Sequence, residues 1–211
     1  MARTTVAIPA RPPVVKPAAP VRRARHEVRI IGGSWKRTPL PVLDRPGLRP
    51  TPSRVRETLF NWLGGDLTGW RCIDAFAGSG ALGFEAASRG AREVTLVEQD
   101  AALIGALRAL QTRLGATTVR VQQGDGIAEL RRCVAGSTDL VLLDPPFDFG
   151  RYDEALQAAT EALAPQGCLY LEAAGAWTPD QLQVHGLMLH RQLKAGAVVA
   201  HLLKKATERH A

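Results

Sequence analysis

The sequence has little cysteine. Cys72, Cys133 and Cys168 are scattered through 211 residues and form no CxxC pair. An odd, dispersed set excludes a disulfide framework and a structural zinc site, and Cys72 and Cys168 fall in apolar runs that predict buried thiols. Long apolar runs are also missing. None approaches the ~18 residues that cross a bilayer, and no apolar core follows the first N-terminal charges as it does in a secretory signal. The expectation is a cytoplasmic protein that does not enter membranes. The five histidines, His26, His185, His190, His201 and His210, show neither HExxH nor a paired ligand spacing, so no metal is expected. No repeat and no long heptad pattern is present, which favours a monomer.

Acidic residues are scarce at the front. Residues 1–60 hold 13 Lys+Arg and 3 Asp+Glu, a net of +10, whereas residues 61–211 hold 14 and 17, a net of −3. A basic front on a mildly acidic body suits a polyanion, most simply nucleic acid; a tail that only keeps the protein soluble is the alternative. Residues 1–25 carry six Lys+Arg, no acid and five prolines. The prolines block helix and sheet ladders, and the segment has little apolar surface to offset ordering entropy, so a disordered basic tail is expected there. Residues 26–65 read as a basic strand–loop–helix extension: a strand over 28–31, an extended loop over 36–50, and a helix over 52–63 with Thr51 as its N-cap and Pro52 in its first turn.

From residue 66 to 211 strands and helices alternate. Strands are predicted at 71–75, 94–98, 119–122, 140–144 and 168–172. Helices are predicted at 82–88, 101–114, 127–133 and 152–163, and a closing antiparallel pair at 187–193 and 198–203. Repeated βα units imply an α/β, Rossmann-like domain with a mostly parallel sheet and helices on both faces. Continuous apolar runs such as Leu140-Val141-Leu142-Leu143 suit strands covered on both sides.

The chemistry concentrates at two turns. Between the first strand of this domain and its helix stands Asp74-Ala75-Phe76-Ala77-Gly78-Ser79-Gly80-Ala81-Leu82-Gly83, which fits G-x-G-x-x-G, and Glu98 ends the next strand about twenty residues on. That context points to an adenosine-containing ligand, with Glu98 accepting from ribose hydroxyls. A pyrophosphate would be repelled by Asp74 at the mouth of the same crevice. S-adenosylmethionine has no phosphate and carries an ammonium and a sulfonium, so the electrostatics favour it over NAD or FAD. Asp125, after the third strand, is placed to accept from the adenine amine; a loop-capping role is its alternative.

The second turn is Asp144-Pro145-Pro146-Phe147 at the end of the fourth strand. The prolines stiffen the backbone so that carbonyls can act as rigid acceptors, and Phe147 offers a face for base stacking. Acceptors at Asp144 and the Pro145 carbonyl can bind both N–H groups of an aromatic amine and turn its lone pair towards a methyl carbon. Positioning and electrostatics would carry such a reaction, and the proton can leave after attack.

These motifs, with Arg29-Ile30-Ile31-Gly32-Gly33, Leu48-Arg49-Pro50-Thr51, the run from Arg54 to Leu63 (Arg-Val-Arg-Glu-Thr-Leu-Phe-Asn-Trp-Leu) and Glu85-Ala86-Ala87-Ser88-Arg89-Gly90-Ala91, occur in family order. Over about residues 28–205 the chain resembles the RsmD family of 16S rRNA (guanine-N2)-methyltransferases. The resemblance implies a seven-stranded class I methyltransferase sheet, S-adenosylmethionine, and a guanine in the rRNA of an assembling or assembled small ribosomal subunit. It implies that Asp74, Phe76, Gly78, Ser79 and Gly80 line the methionine half of the cofactor. Glu98 and Gln99 would hold the ribose and Asp125 would face the adenine. Thr51, Arg56 and Glu57 would close over the methionine end, and Asp144, Pro145, Pro146 and Phe147 would be catalytic. Arg29, Lys36, Arg37, Arg45 and Arg49 would flank the site and neutralise RNA phosphates. Two other readings remain: an adenine-N6 methyltransferase, because the same socket accepts either amine, and a non-catalytic RNA-binding ribosome assembly factor.

Overall fold

The structure, a computed structural model, describes residues 26–43, 51–146 and 148–206. In chain order the elements are β1 (His26–Arg29), β2 (Pro39–Val42), α1 (Ser53–Trp62), β3 (Arg71–Asp74), α2 (Ala81–Ser88), β4 (Glu93–Glu98), α3 (Ala101–Leu114), β5 (Val119–Gln123), α4 (Gly126–Arg132), β6 (Thr138–Leu143), α5 (Tyr152–Ala162), β7 (Leu163–Ala173), α6 (Pro179–Val184), β8 (Leu187–Ala195) and β9 (Val198–Lys205). Strands β3 to β9 form one seven-stranded sheet in the order β5-β4-β3-β6-β7-β9-β8. The β5-β4-β3-β6-β7 block is parallel, and β9 and β8 complete it antiparallel.

Alternation along the strands splits the apolar side chains between two faces. Cys72, Leu96, Leu140, Leu142 and Tyr170 point to the face covered by α1, α2 and α3, whereas Ile73, Val97, Val141, Leu143, Leu169 and Leu171 point to the face covered by α4, α5 and α6. All four apolar residues of β6 are wholly buried, as a strand with helices on both sides requires. Each such side chain contributes about 1.5–3 kcal/mol when removed from water. Cys72 and Cys168 are buried thiols, and burial pushes both upward in pKa.

The expected loop over residues 36–50 contains a strand. β2 pairs antiparallel with β1, with Leu40 and Val42 buried between exposed Pro39 and Pro41. A two-residue apolar alternation among prolines is too short to distinguish from a loop by sequence. β1 itself ends at Arg29, two residues before the predicted strand end, and the turn that follows is folded against α2. Ile31 and Gly32 donate to Glu85 at 2.7 and 2.8 Å, Ser34 donates to the Ser88 carbonyl at 2.8 Å, and Ser88 Oγ donates to Gly32 O at 2.6 Å. Gly33 takes a positive φ of 73°, and a Cβ there would lie 1.7 Å from the Ser88 carbonyl oxygen, so only glycine permits this docking. Helix α6, absent from the sequence expectations, starts with a capping box in which Thr178 and Gln181 satisfy each other's backbone N–H.

Candidate active site

The chain order reverses at β3, which leads to β4 on one side and lies beside β6 on the other. A crevice opens at the carboxyl ends of strands at such a switch point, and both chemical turns lie there. The turn after β3 has Gly78 and Gly80 at positive φ, and Gly80 leads directly into α2. Asp74 ends β3, 1% exposed, and its Oδ2 accepts from the Gly83 N–H at 3.0 Å. Gly83 makes this possible: a Cβ there would lie 2.0 Å from the Leu96 side chain and 3.2 Å from Asp74 Oδ2. Asp74 Oδ1 is, among the described residues, one of two buried side-chain oxygens without a hydrogen-bond partner. Burial, opposed by the Gly83 N–H and more weakly by the Phe76 N–H and reinforced by the Glu98 carboxylate, pushes the Asp74 carboxyl up to about 7. An orphaned buried carboxyl oxygen is the chemical complement of a cationic ligand end and the wrong neighbour for a phosphate.

Glu98, at the end of β4, is tied into the same turn. Its Oε2 accepts from Gly78 N at 2.9 Å, and its Oε1 from Gln99 N and Asp100 N at 2.7 and 2.9 Å. Asp125 stands next to Gln99, whose amide donates to it at 3.3 Å. Asp125 also caps α4 by accepting from Ala128 N at 2.8 Å and pairs with Arg151 at 3.0 Å. The capping alternative raised for Asp125 is therefore occupied in the structure, and one of its oxygens faces Gln99 and Arg151.

Across the switch point, Asp144 follows β6. Its Oδ2 accepts from Thr51 Oγ1 at 2.9 Å. With Pro145, Tyr152, Glu172, Ala173, Ala174 and Val198 it lines a small cleft that is open to solvent. Burial first, then the charges of Glu172 and Asp74, push the Asp144 carboxyl well above its usual range, against the Thr51 hydrogen bond. The Pro146 carbonyl receives the Phe149 N–H at 3.0 Å and closes the turn. Pro145 lines the cleft; Phe147 lies outside the described residues. A row of edge-to-face aromatic contacts, Phe76–Phe149, Phe149–Tyr152 and Tyr152–Trp177 at 5.0, 5.1 and 5.9 Å between centroids, joins the glycine loop to the rim of this cleft.

Three sequence expectations change. Thr51 is not the cap of α1: Pro52 occupies that position without a side-chain cap, and the Thr51 hydroxyl goes to Asp144. Arg56 does not line the crevice. It is wholly buried, with its guanidinium donating to Thr51 O at 3.2 Å, Arg29 O at 3.0 Å and Glu85 at 3.4 Å, so it acts on the site through Thr51. Lys36 and Arg37 are exposed, but their turn is docked at the C-terminal end of α2, away from the glycine loop. Glu57 is exposed on α1, Ser79 is half-buried in the glycine loop, and Arg29 is exposed at the end of β1. Arg45 and Arg49 lie outside the described residues. Glu172 and Tyr152 join the site without having been expected there. Glu172 sits in a run, Leu169-Tyr170-Leu171-Glu172, that reads only as a buried strand, and its signal is an acid at a strand's carboxyl end beside the Asp-Pro-Pro strand.

The reversed strand order, the glycine turn after the first parallel strand and the acid ending the second define a class I methyltransferase, which requires a methyl donor. Comparison with known proteins narrows the class. A family model described as Conserved hypothetical protein 95 matches residues 28–204. The Ribosomal RNA small subunit methyltransferase D of Escherichia coli (strain K12) is 38% identical over 184 residues, covering 86% of this chain and 92% of that protein. Its namesake in Haemophilus influenzae is 42% identical over 154 residues, covering 71% and 80%. A solved structure named as the putative methyltransferase yhhF of Escherichia coli superposes with a TM-score of 0.73 at 39% identity, covering 85% of this chain and 98% of that one. The chain belongs to this family, the RsmD family.

Proposed function

We propose that this chain is an S-adenosylmethionine-dependent rRNA methyltransferase that methylates the exocyclic N2 amine of a guanine in the 16S rRNA of an assembling or assembled small ribosomal subunit, in the cytoplasm. The observation that carries the reading is the pairing of two buried carboxyls at one switch point: Asp74, with an unsatisfied oxygen, and Asp144, anchored by Thr51 at the mouth of an open cleft. The names of the relatives supply the rRNA and the small subunit.

S-adenosylmethionine, when bound, supplies a methyl carbon made electrophilic by its sulfonium. The orphaned Asp74 oxygen suits its ammonium end, and the Glu98 carboxylate suits the ribose hydroxyls. Asp144 accepts from the target amine, and the stiff Pro145 backbone holds the acceptor in place, so that the nitrogen lone pair faces away from the ring plane. Thr51 fixes which Asp144 oxygen is available by binding the other. Tyr152 and the small Ala173 and Ala174 line the cleft beside Asp144. A looped-out or flipped base can enter such a cleft; a paired one cannot.

The test is to incubate the protein with unmodified small subunits and labelled donor, digest the rRNA and identify the nucleoside. The expected product is N2-methylguanosine. Asp144→Ala should lower turnover by ~100-fold or more, with donor binding by calorimetry unchanged within a few-fold. N6-methyladenosine as the product would overturn the guanine assignment, and absence of any label would overturn the enzymatic one.

A further inference from the structure

Glu172 has no part in the chemistry assigned to Asp74, Glu98 and Asp144. It stands one residue before the end of β7, is 6% exposed, and its Oε1 accepts from the Tyr170 hydroxyl at 2.7 Å. It lines the same cleft as Asp144 from the neighbouring strand. The two carboxyls therefore meet at one slot, with Thr51 binding the first and Tyr170 the second. No Lys or Arg is among the described residues that line the cleft. Both carboxyls are pushed up by burial, and Asp144 also by the charge of Glu172, so the cleft disfavours a full charge on both. Burial thus retains a proton between the two; both become acceptors only when that proton leaves, and two donors from the substrate take its place.

Among nucleobase edges, that requirement is selective. Guanine presents N1–H and the N2 amine side by side, two adjacent donors. Adenine presents its amine beside N1, and cytosine presents its amine beside N3. In both, the neighbouring ring nitrogen is an acceptor whose lone pair would face the second carboxyl. An unpaired buried polar group is strongly penalised, which makes a donor-matched site highly discriminating.

We propose that Glu172 is a specificity-determining residue: its carboxylate accepts the N1–H of the target base while Asp144 accepts from the N2 amine. This rests on the guanine reading above and supplies the reason adenine is refused. Tyr170 is a positioning residue, because its hydroxyl holds Glu172 Oε1, and the Thr51 hydroxyl bound to Asp144 also interacts with Glu172.

The discriminating substrate is 2-aminopurine, which keeps the 2-amine but carries an unprotonated N1. Small subunits would be reconstituted from ligated rRNA with guanine or 2-aminopurine at the mapped position. The ratio of kcat/KM for the two is the readout, because a partly misfolded variant loses both rates alike and leaves the ratio unmoved. The parent protein should favour guanine by at least ~100-fold. Glu172→Gln, whose amide can donate to the bare N1, should narrow the ratio to within about 10-fold. Glu172→Asp, which keeps the carboxylate, should retain the preference at a lower rate. Binding of the 2-aminopurine subunits without methyl donor, followed by base fluorescence, should tighten in Glu172→Gln. An unchanged ratio in Glu172→Gln, with N2-methylguanosine still formed, would overturn the role of Glu172 alone. A parent protein that leaves guanine unmodified would overturn the functional reading and this inference together.

Discussion

On the proposed function, the state of Asp74 decides whether the crevice is ready for a cation. Its carboxyl titrates near 7 because it is buried beside Glu98, far above the ~3.9 of an exposed aspartate. The folded form thus holds a proton that the unfolded chain has lost, so ligand-free stability falls as pH rises from about 4 through 7. A ligand ammonium reverses the preference, since it pairs with the ionised carboxylate. Donor affinity should therefore rise with pH up to about 7, by at most tenfold per unit, and level off before the donor's own amine deprotonates near ~8. Calorimetry in buffers of different ionisation enthalpy should show close to one proton released per donor bound at pH 6 and little at pH 8. Asp74→Asn should bind weakly and without this pH dependence; a proton release unchanged by that substitution would reject the assignment. Residue-scale legibility is well illustrated by two Thr-Pro pairs. In Thr178-Pro179 the third residue on from Thr is Gln181, which completes a capping box. In Thr51-Pro52 the corresponding residue is Arg54, which cannot accept from the Thr51 N–H, and the hydroxyl is left for Asp144. The missing acceptor at 54 is a readable sign that Thr51 serves something other than its helix.

Among the elements, α1 and the β1–β2 pair depend on one carboxylate. Glu85, wholly buried in α2, accepts from Ile31 N, Gly32 N, Arg56 and Arg89, and Arg56 in turn donates to Thr51 O. A line of contacts therefore runs from α2 through Arg56 and Thr51 to Asp144. Burial alone pushes the Arg56 guanidinium down in pKa, and Glu85 opposes this, so the pair is a joint requirement rather than two separate charges. Removing one member of a buried pair costs ~3–5 kcal/mol, and Glu85→Gln, with fewer acceptor sites for four donors, should approach that loss in denaturant unfolding. Hydrogen exchange gives the more direct check: the Ile31 and Gly32 amides should lose protection in Glu85→Gln. Breaking the exposed Arg71–Glu93 pair, 3.8 Å apart, should change stability by less than about 1 kcal/mol. Equal losses in both variants would contradict the stapling role. The sequence shows this element-level design only in part. The 53–62 helix and its buried stripe follow from apolar spacing, but an Arg inside that stripe reads as a cofactor ligand until its partner, 29 residues away, is in place.

At the scale of the whole molecule, the parallel core is legible because β6 and its neighbours are continuous apolar runs separated by helical periods, and so is the placing of Asp144 beside the Asp74 turn, whereas the arrival of Glu172 beside them is not. The three are separated by long stretches of chain and meet only because β3, β6 and β7 lie side by side. Charge segregation acts on the same scale. On the proposed function, the net +10 of residues 1–60 against −3 for the remainder would place phosphate binding at the front of the chain, while the cleft proposed for the base is lined by two carboxyls. Affinity for RNA and selection of the base would then be carried by different parts, since phosphate contacts position without reading sequence. Deleting residues 1–25 removes six cationic side chains and no acid. Each phosphate that no longer has a cationic partner lowers the slope of log K against log salt by about 0.7–0.9. The truncated protein should therefore bind small subunits more weakly at low salt, with a slope shallower by up to about 4 if all six engage single-stranded RNA. Its donor affinity, melting temperature and product nucleoside should match the parent. Binding titrations over roughly 50 to 300 mM salt would measure the slopes; identical slopes for the two proteins would show that residues 1–25 contribute charge to solubility alone.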